Sequence, residues 1–359
     1  MSLRFAELHC RSHYSFLDGA SSPEELIRRA HALGYQSLCL TDIDGVHGAV
    51  QAHHAAKELG FHLGVGSEIT VRNDLVPMGM SAAAHRLVLL AINSQGYKNL
   101  CQLITLGRTR CAKGSAWVDW QEIATRNDGL LLLSGGIGGP IDSARRRRDL
   151  QQAFDWASRI KRVFADRAYL ELNHHAAPGD DDRVRDLLQL AQSTELPALF
   201  SQNARFTAPS MRPLYDVQCC IRHKTSLQAA GQLLDVNAES YLHAPSQLYK
   251  HYRKLSPALE QSCVAASRLE FSLDELSYCF PSFDLQPGET AFSYLSQLTQ
   301  EGAARRYQPL SSKAAAQIAY ELAIIEKLNL AGYFLIVWDI VRFCRERKIL
   351  CQGRGSAAN

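Results

Sequence analysis

The chain runs to 359 residues, 46% of them apolar and 21% charged, with a formal net charge of +3. The balance is ordinary for a soluble globular protein, and the length suits two domains or one large α/β barrel. A charge this mild neither implies nucleic-acid binding nor excludes it. The sequence shows no apolar run resembling a signal peptide and none of membrane-spanning length, which argues against a secreted or membrane protein. Ten cysteines are scattered without any CxxC spacing, and Cys219 and Cys220 are neighbours. They read as reduced thiols of a cytoplasmic protein, packed as small apolar side chains.

In chain order, a first strand is expected at Phe5–His9. Ser22-Pro23-Glu24-Glu25 then places a capping box with proline at the first helical position. Leu26, Ala30 and Leu33 mark one face of that helix, and Gly34 ends it. Short apolar runs predict strands at Ser37–Thr41, Leu63–Ile69, Arg86–Ile92, Leu130–Ser134, Tyr169–Leu172 and Ala198–Ser201. A second helix is expected over Val46 to Leu59, closing at Gly60. Strands alternating with helices predict parallel βα units, and seven of them favour a β/α barrel over a doubly wound open sheet.

Past residue 235 strand signals fade, and helical patterns such as Lys313–Leu328 take over. The turn-rich stretch from Pro281 to Gly288 sets a boundary near residue 280. The expected fold class is therefore α/β, with a barrel over residues 1–280 and a mainly helical segment over 281–359. Arg145 to Arg148 form a basic run, read as a solvated helix face ahead of a nucleic-acid contact. Near the end, an apolar helix over Gly332–Val341 precedes Gly353-Arg354-Gly355-Ser356, a glycine-punctuated turn whose backbone donors and arginine suit an anion. Ser356, Ala357 and Ala358 read as the start of a further helix, so the chain reads as the front part of something longer.

In parallel β/α folds functional side chains gather at the strand ends. Here those positions hold His9, with His13 and Asp18 after it, then Asp42, Glu68, His85, Asn173-His174-His175 and Gln202-Asn203. Imidazoles and carboxylates converging at one rim are what a cluster of divalent ions requires. The same residues also cap helices and satisfy backbone groups. His31, His53, His54 and His62 sit on helix or loop positions and read as solvated.

Glu7 to Ser12, continuing through Tyr14 to Ala20, resembles the opening of the PHP (polymerase and histidinol phosphatase) domain. More closely, it resembles the N-terminus of bacterial C-family DNA polymerases, the α subunits of DNA polymerase III. Thr41-Asp42, Val65 to Glu68, Gly96 to Leu100 and Asp128 to Leu130 follow in that family's order. Gly332 to Val337 and Gly353 to Ser356 resemble the start of its palm domain. Ala6 to Cys10 combined with Cys351 to Asn359 is most similar to the error-prone branch, the polymerase of the damage-induced mutasome.

The resemblance implies a distorted seven-stranded barrel, the PHP domain, followed by a truncated palm. The ligand positions of metal-competent PHP domains fall on His9, Arg11 and Asp18, on Asp42-Ile43, on Glu68, and on Arg86 or, shifted by one, His85. The later ones fall on His175 and on Asn203 to Arg205. Arg11, Ile43, Asn203 and Arg205 thus stand where ligands would be; isoleucine cannot coordinate an ion and arginine stays protonated. A full Zn²⁺ or Mn²⁺ cluster is not expected, and at most one ion would be held by His9, Asp18, Glu68 and His175. Guanidinium groups would neutralise the acids instead, in a scaffold without phosphoesterase or proofreading activity.

Gly353, Arg354, Gly355 and Ser356 are implied to meet the triphosphate of the incoming nucleotide. No catalytic residue is expected in this segment, because the family's palm aspartates, which hold two Mg²⁺ ions, lie beyond residue 359. The implied function is the N-terminal part of an error-prone DNA-directed DNA polymerase in translesion synthesis, DNA repair and replication. Its full-length partners would be primer-template DNA, dNTP, the sliding clamp and mutasome proteins. A stand-alone PHP phosphoesterase and a non-catalytic polymerase-partner-binding protein are the alternatives.

Overall fold

The computed structural model describes residues 3–72, 84–276, 282–285 and 288–353. The chain separates into two units, Met1–Leu276 and Ser277–Asn359.

Seven strands form one sheet in sequence order: β1 Ala6–Cys10, β2 Ser37–Leu40, β3 His62–Arg72, β4 Ala84–Ala91, β5 Leu130–Leu133, β6 Ala168–Leu172 and β7 Ala198–Phe200. A bridge from Cys10 to Ala204 returns the chain after β7 to the side of β1. There the Arg11 N–H donates to the Ala204 carbonyl at 2.9 Å, and the Ala204 N–H to the His9 carbonyl at 3.1 Å. The sheet thus curls back on itself as a distorted barrel.

All seven expected strands are present, but they are not all parallel. β4 runs antiparallel to both β3 and β5. Only eleven residues separate Arg72 from Ala84, too few for a helical crossover, so a hairpin is the connection this length permits.

Both sheet faces are largely buried, which is why strands such as β4 and β5 read as apolar runs. Val88, Leu90, Leu131 and Leu133 face an inner cluster with Ala6, Leu8, Tyr169 and Leu199. Their neighbours Leu87, Leu89, Leu130 and Leu132 face the larger cluster shared with the helices. Those helices are α1 Pro23–Ala32, α2 Ala49–Leu59, α3 Ser94–Thr109, α4 Trp120–Thr125, α5 Pro140–Arg146, α6 Leu150–Phe164, α7 Asp180–Thr194, α8 Arg212–His223, α9 Pro245–His251 and α10 Ser256–Ala266. The inner cluster is completed by Ala265 and Ala266 of α10 and by Leu269. Ser262 of α10 accepts the Ala6 N–H at 3.2 Å.

Local signals account for the helix ends. Ser22 and Glu25 form the expected capping box of α1. α2 starts three residues later than expected, because the turn before it is bonded to β3. The Asp44 N–H donates to the Glu68 carbonyl at 2.9 Å, and the Gly45 N–H to Ser67 Oγ at 3.0 Å. Gly96, in the first turn of α3, lies against Gly129: a Cβ at Gly96 would fall 1.8 Å from the Gly129 carbonyl oxygen. Asn99 Nδ2 donates to the Asp128 carbonyl at 2.8 Å, so the two motifs around residues 96–100 and 128–130 are packing partners. His62 is not simply solvated; its ring nitrogens lie 2.9 Å from Ser37 Oγ and 2.8 Å from the Leu269 carbonyl.

The basic run closes α5. Arg145 lies 3.3 Å from Asp142 and 3.4 Å from Asp186, and Arg146 lies 2.8 Å from Asp142. The nine described cysteines are all free, and among the described residues no helix is long and apolar enough to cross a membrane.

The second unit contains α11 Ala291–Arg306, α12 Ser312–Lys327 and α13 Ala331–Glu346, around Leu295, Ala331 and Leu335. Gly353 is exposed, and Arg354, Gly355 and Ser356 lie outside the described residues.

Candidate functional site

The rim of the barrel carries a buried chain of charges assembled from five of its elements. Arg11, just past β1, meets Glu68 of β3 at two points, with Nε 2.5 Å from Oε2 and Nη2 2.8 Å from Oε1. Its third nitrogen, Nη1, lies 3.3 Å from Asp18 Oδ2. Asp18 is also held by Arg222 Nη1 of α8 at 2.8 Å, and it accepts the Tyr215 hydroxyl at 3.0 Å. Arg86, near the start of β4, reaches Asp18 at 3.5 Å and Glu68 at 3.9 Å. β4 contributes its beginning to a rim where its neighbours contribute their ends, because it runs the other way.

His9, fully buried, lies between two acids: Nδ1 is 2.7 Å from Glu171 of β6, and Nε2 is 3.4 Å from Glu68. Glu171 also accepts hydrogen bonds from Asn173 Nδ2 at 3.2 Å and from the Ser201 hydroxyl.

These contacts set the protonation states. Burial works against charge on Glu68 and Asp18, but the surrounding cations together outweigh it: Arg11, His9 and Arg86 on Glu68, and Arg11, Arg205 and Arg222 on Asp18 hold both carboxyls well below the usual carboxylate range. Burial likewise works against a charged His9, yet Glu171 and Glu68 push its pKa up to about 9. The two carboxylates thus favour the imidazolium form of His9, held by Glu171 at Nδ1, while Nε2 makes no hydrogen bond. Glu7, two residues before it, is pushed up to about 7 by burial, against the N–H groups of Gln202 and His9 that it accepts.

Of the four residues expected to hold an ion, His9, Asp18 and Glu68 share this network, and His175 does not join it. Burial pushes His175 down to about 4. The neutral ring then donates from Nε2 to the Gln202 carbonyl at 2.6 Å. Asp42 is bound by the Ser12 N–H at 2.8 Å and the Ser15 hydroxyl at 2.7 Å. His174 lies 3.2 Å from Asp181. Ile43 forms a backbone bridge to Glu68. Asn203 is fully buried at φ 48° with neither amide atom hydrogen-bonded. Arg86, and not His85, makes the ion pairs to Asp18 and Glu68. Of the two replacement arginines, Arg11 sits among the acids, while Arg205 lies 3.3 Å from Asp235 and donates to the Tyr215 hydroxyl.

Sequence reasoning missed Glu171, Tyr215 and Arg222. A carboxylate inside the apolar run of β6 was a usable signal for the first. The other two lie on a helix about two hundred residues from Asp18, and no local pattern connects them.

The network floors a cleft of about 1000 Å³, lined among others by Arg86, Arg205 and Arg222. The donor set does not fit the metal cluster of hydrolytic PHP domains. The lone pairs of Glu68 and Asp18 face guanidinium nitrogens, and both nitrogens of His9 face carboxylates. A divalent ion would have to displace cations that cannot lose their protons. Among the described residues no group of three or more histidine, cysteine or acidic side chains could hold an ion. What the arrangement can do is fix the strand ends of β1, β3, β4 and β6 to α8 by charge-assisted bonds.

Residues 7–175 match the PHP domain, and residues 293–359 match the bacterial DNA polymerase III alpha NTPase domain. A match to a PHP domain is thus followed by a match to part of a bacterial DNA polymerase III alpha chain. The relatives that it matches along its whole length include error-prone DNA polymerases. That of Alkalilimnicola ehrlichii is 39% identical over all of this chain and 33% of its own length. Those of Pseudomonas syringae pv. syringae and Rhodopirellula baltica are 38% and 34% identical, again over all of this chain but 33% and 31% of their own lengths. The chain thus spans about a third of the curated relatives it matches. Among solved structures, a putative metal-dependent phosphoesterase from Bifidobacterium adolescentis is similar over 57% of this chain and 89% of its own, at 16% identity and a TM-score of 0.39.

Proposed function

We propose that this chain is the N-terminal part of an error-prone DNA polymerase acting in translesion synthesis during damage-induced DNA repair. Residues 1–280 serve as a barrel scaffold that does not hydrolyse phosphoesters, and residues 281–359 begin the catalytic core. Support for the polymerase comes from similarity that runs through both units to relatives of one name. Support for the scaffold comes from a single contact: the Arg11 guanidinium lies between Glu68 and Asp18, where a hydrolytic barrel would need ions. Nucleotide transfer draws on two Mg²⁺ ions held by paired carboxylates, a chemistry assigned to the remaining two thirds of the relatives. Gly353 to Ser356 would hold the triphosphate, with backbone donors and the Arg354 charge. Primer-template DNA, the sliding clamp and mutasome proteins are the partners of the whole enzyme, in the cytoplasm.

The test is an immunoblot of the source cell with antibody against residues 1–280, followed by primer extension across an abasic site with the immunopurified product. A band near three times 39.9 kDa that extends the primer is expected. A band at 39.9 kDa that hydrolyses a phosphomonoester overturns the reading in favour of a stand-alone phosphoesterase. The same band without hydrolysis overturns it in favour of a non-catalytic partner-binding protein.

A further inference from the structure

Helices α6 and α7 both lie against β6, and together with α5 they frame a groove of about 870 Å³. Ile141 and Leu187 are buried at its floor. At its lip stand Leu150 and Phe154, 68% and 40% exposed. Four residues apart on α6, they share one side of the helix. A surface helix ordinarily turns such a pair toward its own core; here the core-facing stripe is already supplied by Ala153, Trp156, Ala157 and Ile160. The pair is therefore surplus to what holds the fold.

The charge at this lip is mainly positive. Arg145, Arg146 and Arg148 line the groove, against Asp186 as its one lining carboxylate. Arg145 is committed to Asp142 and Asp186. Arg146 shares Asp142 and keeps 55% of its side chain exposed. Arg148 is exposed and meets no carboxylate among the described residues.

We infer that this groove docks an acidic amphipathic helix of a partner protein. A groove between two helices accepts a third through apolar anchors at i, i+3, i+4 and i+7. Leu150 and Phe154 would close over those anchors, while acids flanking the stripe would meet Arg146 and Arg148 in charge-assisted pairs that fix its direction. A nucleic-acid strand fits less well, because its backbone needs cations along the whole track and the floor here is apolar.

The experiment is fluorescence anisotropy with the full chain and three labelled sixteen-residue helical peptides. One carries a leucine stripe flanked by glutamates, one the same stripe flanked by lysines, and one the first composition scrambled. Saturable binding of the acidic striped peptide alone is expected, weakened at least tenfold in Phe154→Glu and in Arg148→Glu. Both positions are exposed, so both variants should melt with the parent. Equal binding of the lysine or scrambled peptide, no binding of any, or unchanged binding by both variants overturns the proposal. So does sedimentation showing a dimer that Phe154→Glu dissociates, which would make a second copy of the chain the occupant.

Discussion

Arg11 and Glu68 face each other as two parallel donor–acceptor pairs, Nε to Oε2 at 2.5 Å and Nη2 to Oε1 at 2.8 Å, at a site where neither residue meets bulk water. A planar fork on a carboxylate sets distance and orientation together. It also differs from an ion in one respect: it cannot be removed by a chelator, and no accessible pH discharges it.

Arg11→Ala leaves Glu68 buried without its main partner and Asp18 short of one. Breaking a buried pair from one side costs about 3–5 kcal/mol. Urea unfolding of the first unit should show a loss of that order, with Arg11→Lys intermediate because a single ammonium cannot make both contacts. A change below about 1 kcal/mol would place the pair among solvent-screened surface bridges.

The purified chain should carry no stoichiometric zinc or manganese by elemental analysis, and its melting temperature should be the same with and without EDTA. A one-to-one metal content, or a chelator-induced drop in melting temperature, would show that His9, Asp18, Glu68 and His175 still hold an ion.

Two sets of groups give the stability of the first unit opposite slopes against pH. Asp18 and Glu68 have depressed folded pKa values, so what they contribute is fully present above the ordinary carboxylate range and is lost as pH falls below it, through their folded values. His9 is raised from 6.5 to about 9; its contribution is complete below pH 6.5 and is lost as pH rises toward 9. Glu7, raised from 4.5 to about 7, adds a decline in the same direction at lower pH. Urea titrations from pH 5 to 9.5 should therefore show falling stability on the alkaline side, and His9→Gln should flatten the part above pH 6.5. An unchanged alkaline slope in His9→Gln would mean that the imidazole is not the charged group.

Gly96→Ala should destabilise the first unit by about 1–3 kcal/mol, the usual range for overpacking against a surrounding that must shift. A Cβ there meets backbone atoms of Gly129, not the end of a flexible side chain. Gly60→Asn is the matched control, since Gly60 has a left-handed φ of 59° and open space around it, and it should melt within a degree or two of the parent.

The strands were legible because most of their positions are buried and so appear as short, mainly apolar runs. The reversal of β4 was not, since alternation carries no direction; the short link from Arg72 to Ala84 does. Strand-end reasoning found His9 and Glu68, and family resemblance singled out Arg11. His175 and Asn203 were placed at the rim by the same reasoning, yet neither joins the charged network. For His175 the reason is physical: burial keeps the ring neutral, and a backbone carbonyl becomes its partner. Arg222 and Tyr215 come from α8, and contacts across such a separation are set by tertiary packing, which one sequence does not display.

The helix that closes the inner cluster also puts the barrel's assembly in order. α10 is the last helix of the first unit, so a ribosome releases every strand and the whole rim before the residues that complete the inner cluster. Until Ala265, Ala266 and Leu269 arrive, the newborn sheet has a finished mouth and an open bottom, with the underside of Leu8, Val88 and Leu131 in water. A gene fragment trimmed to the PHP match at residue 175, or even to the end of β7, would keep much of the recognisable motif while lacking its plug. The smallest piece that can be expected to fold on its own is residues 1–276.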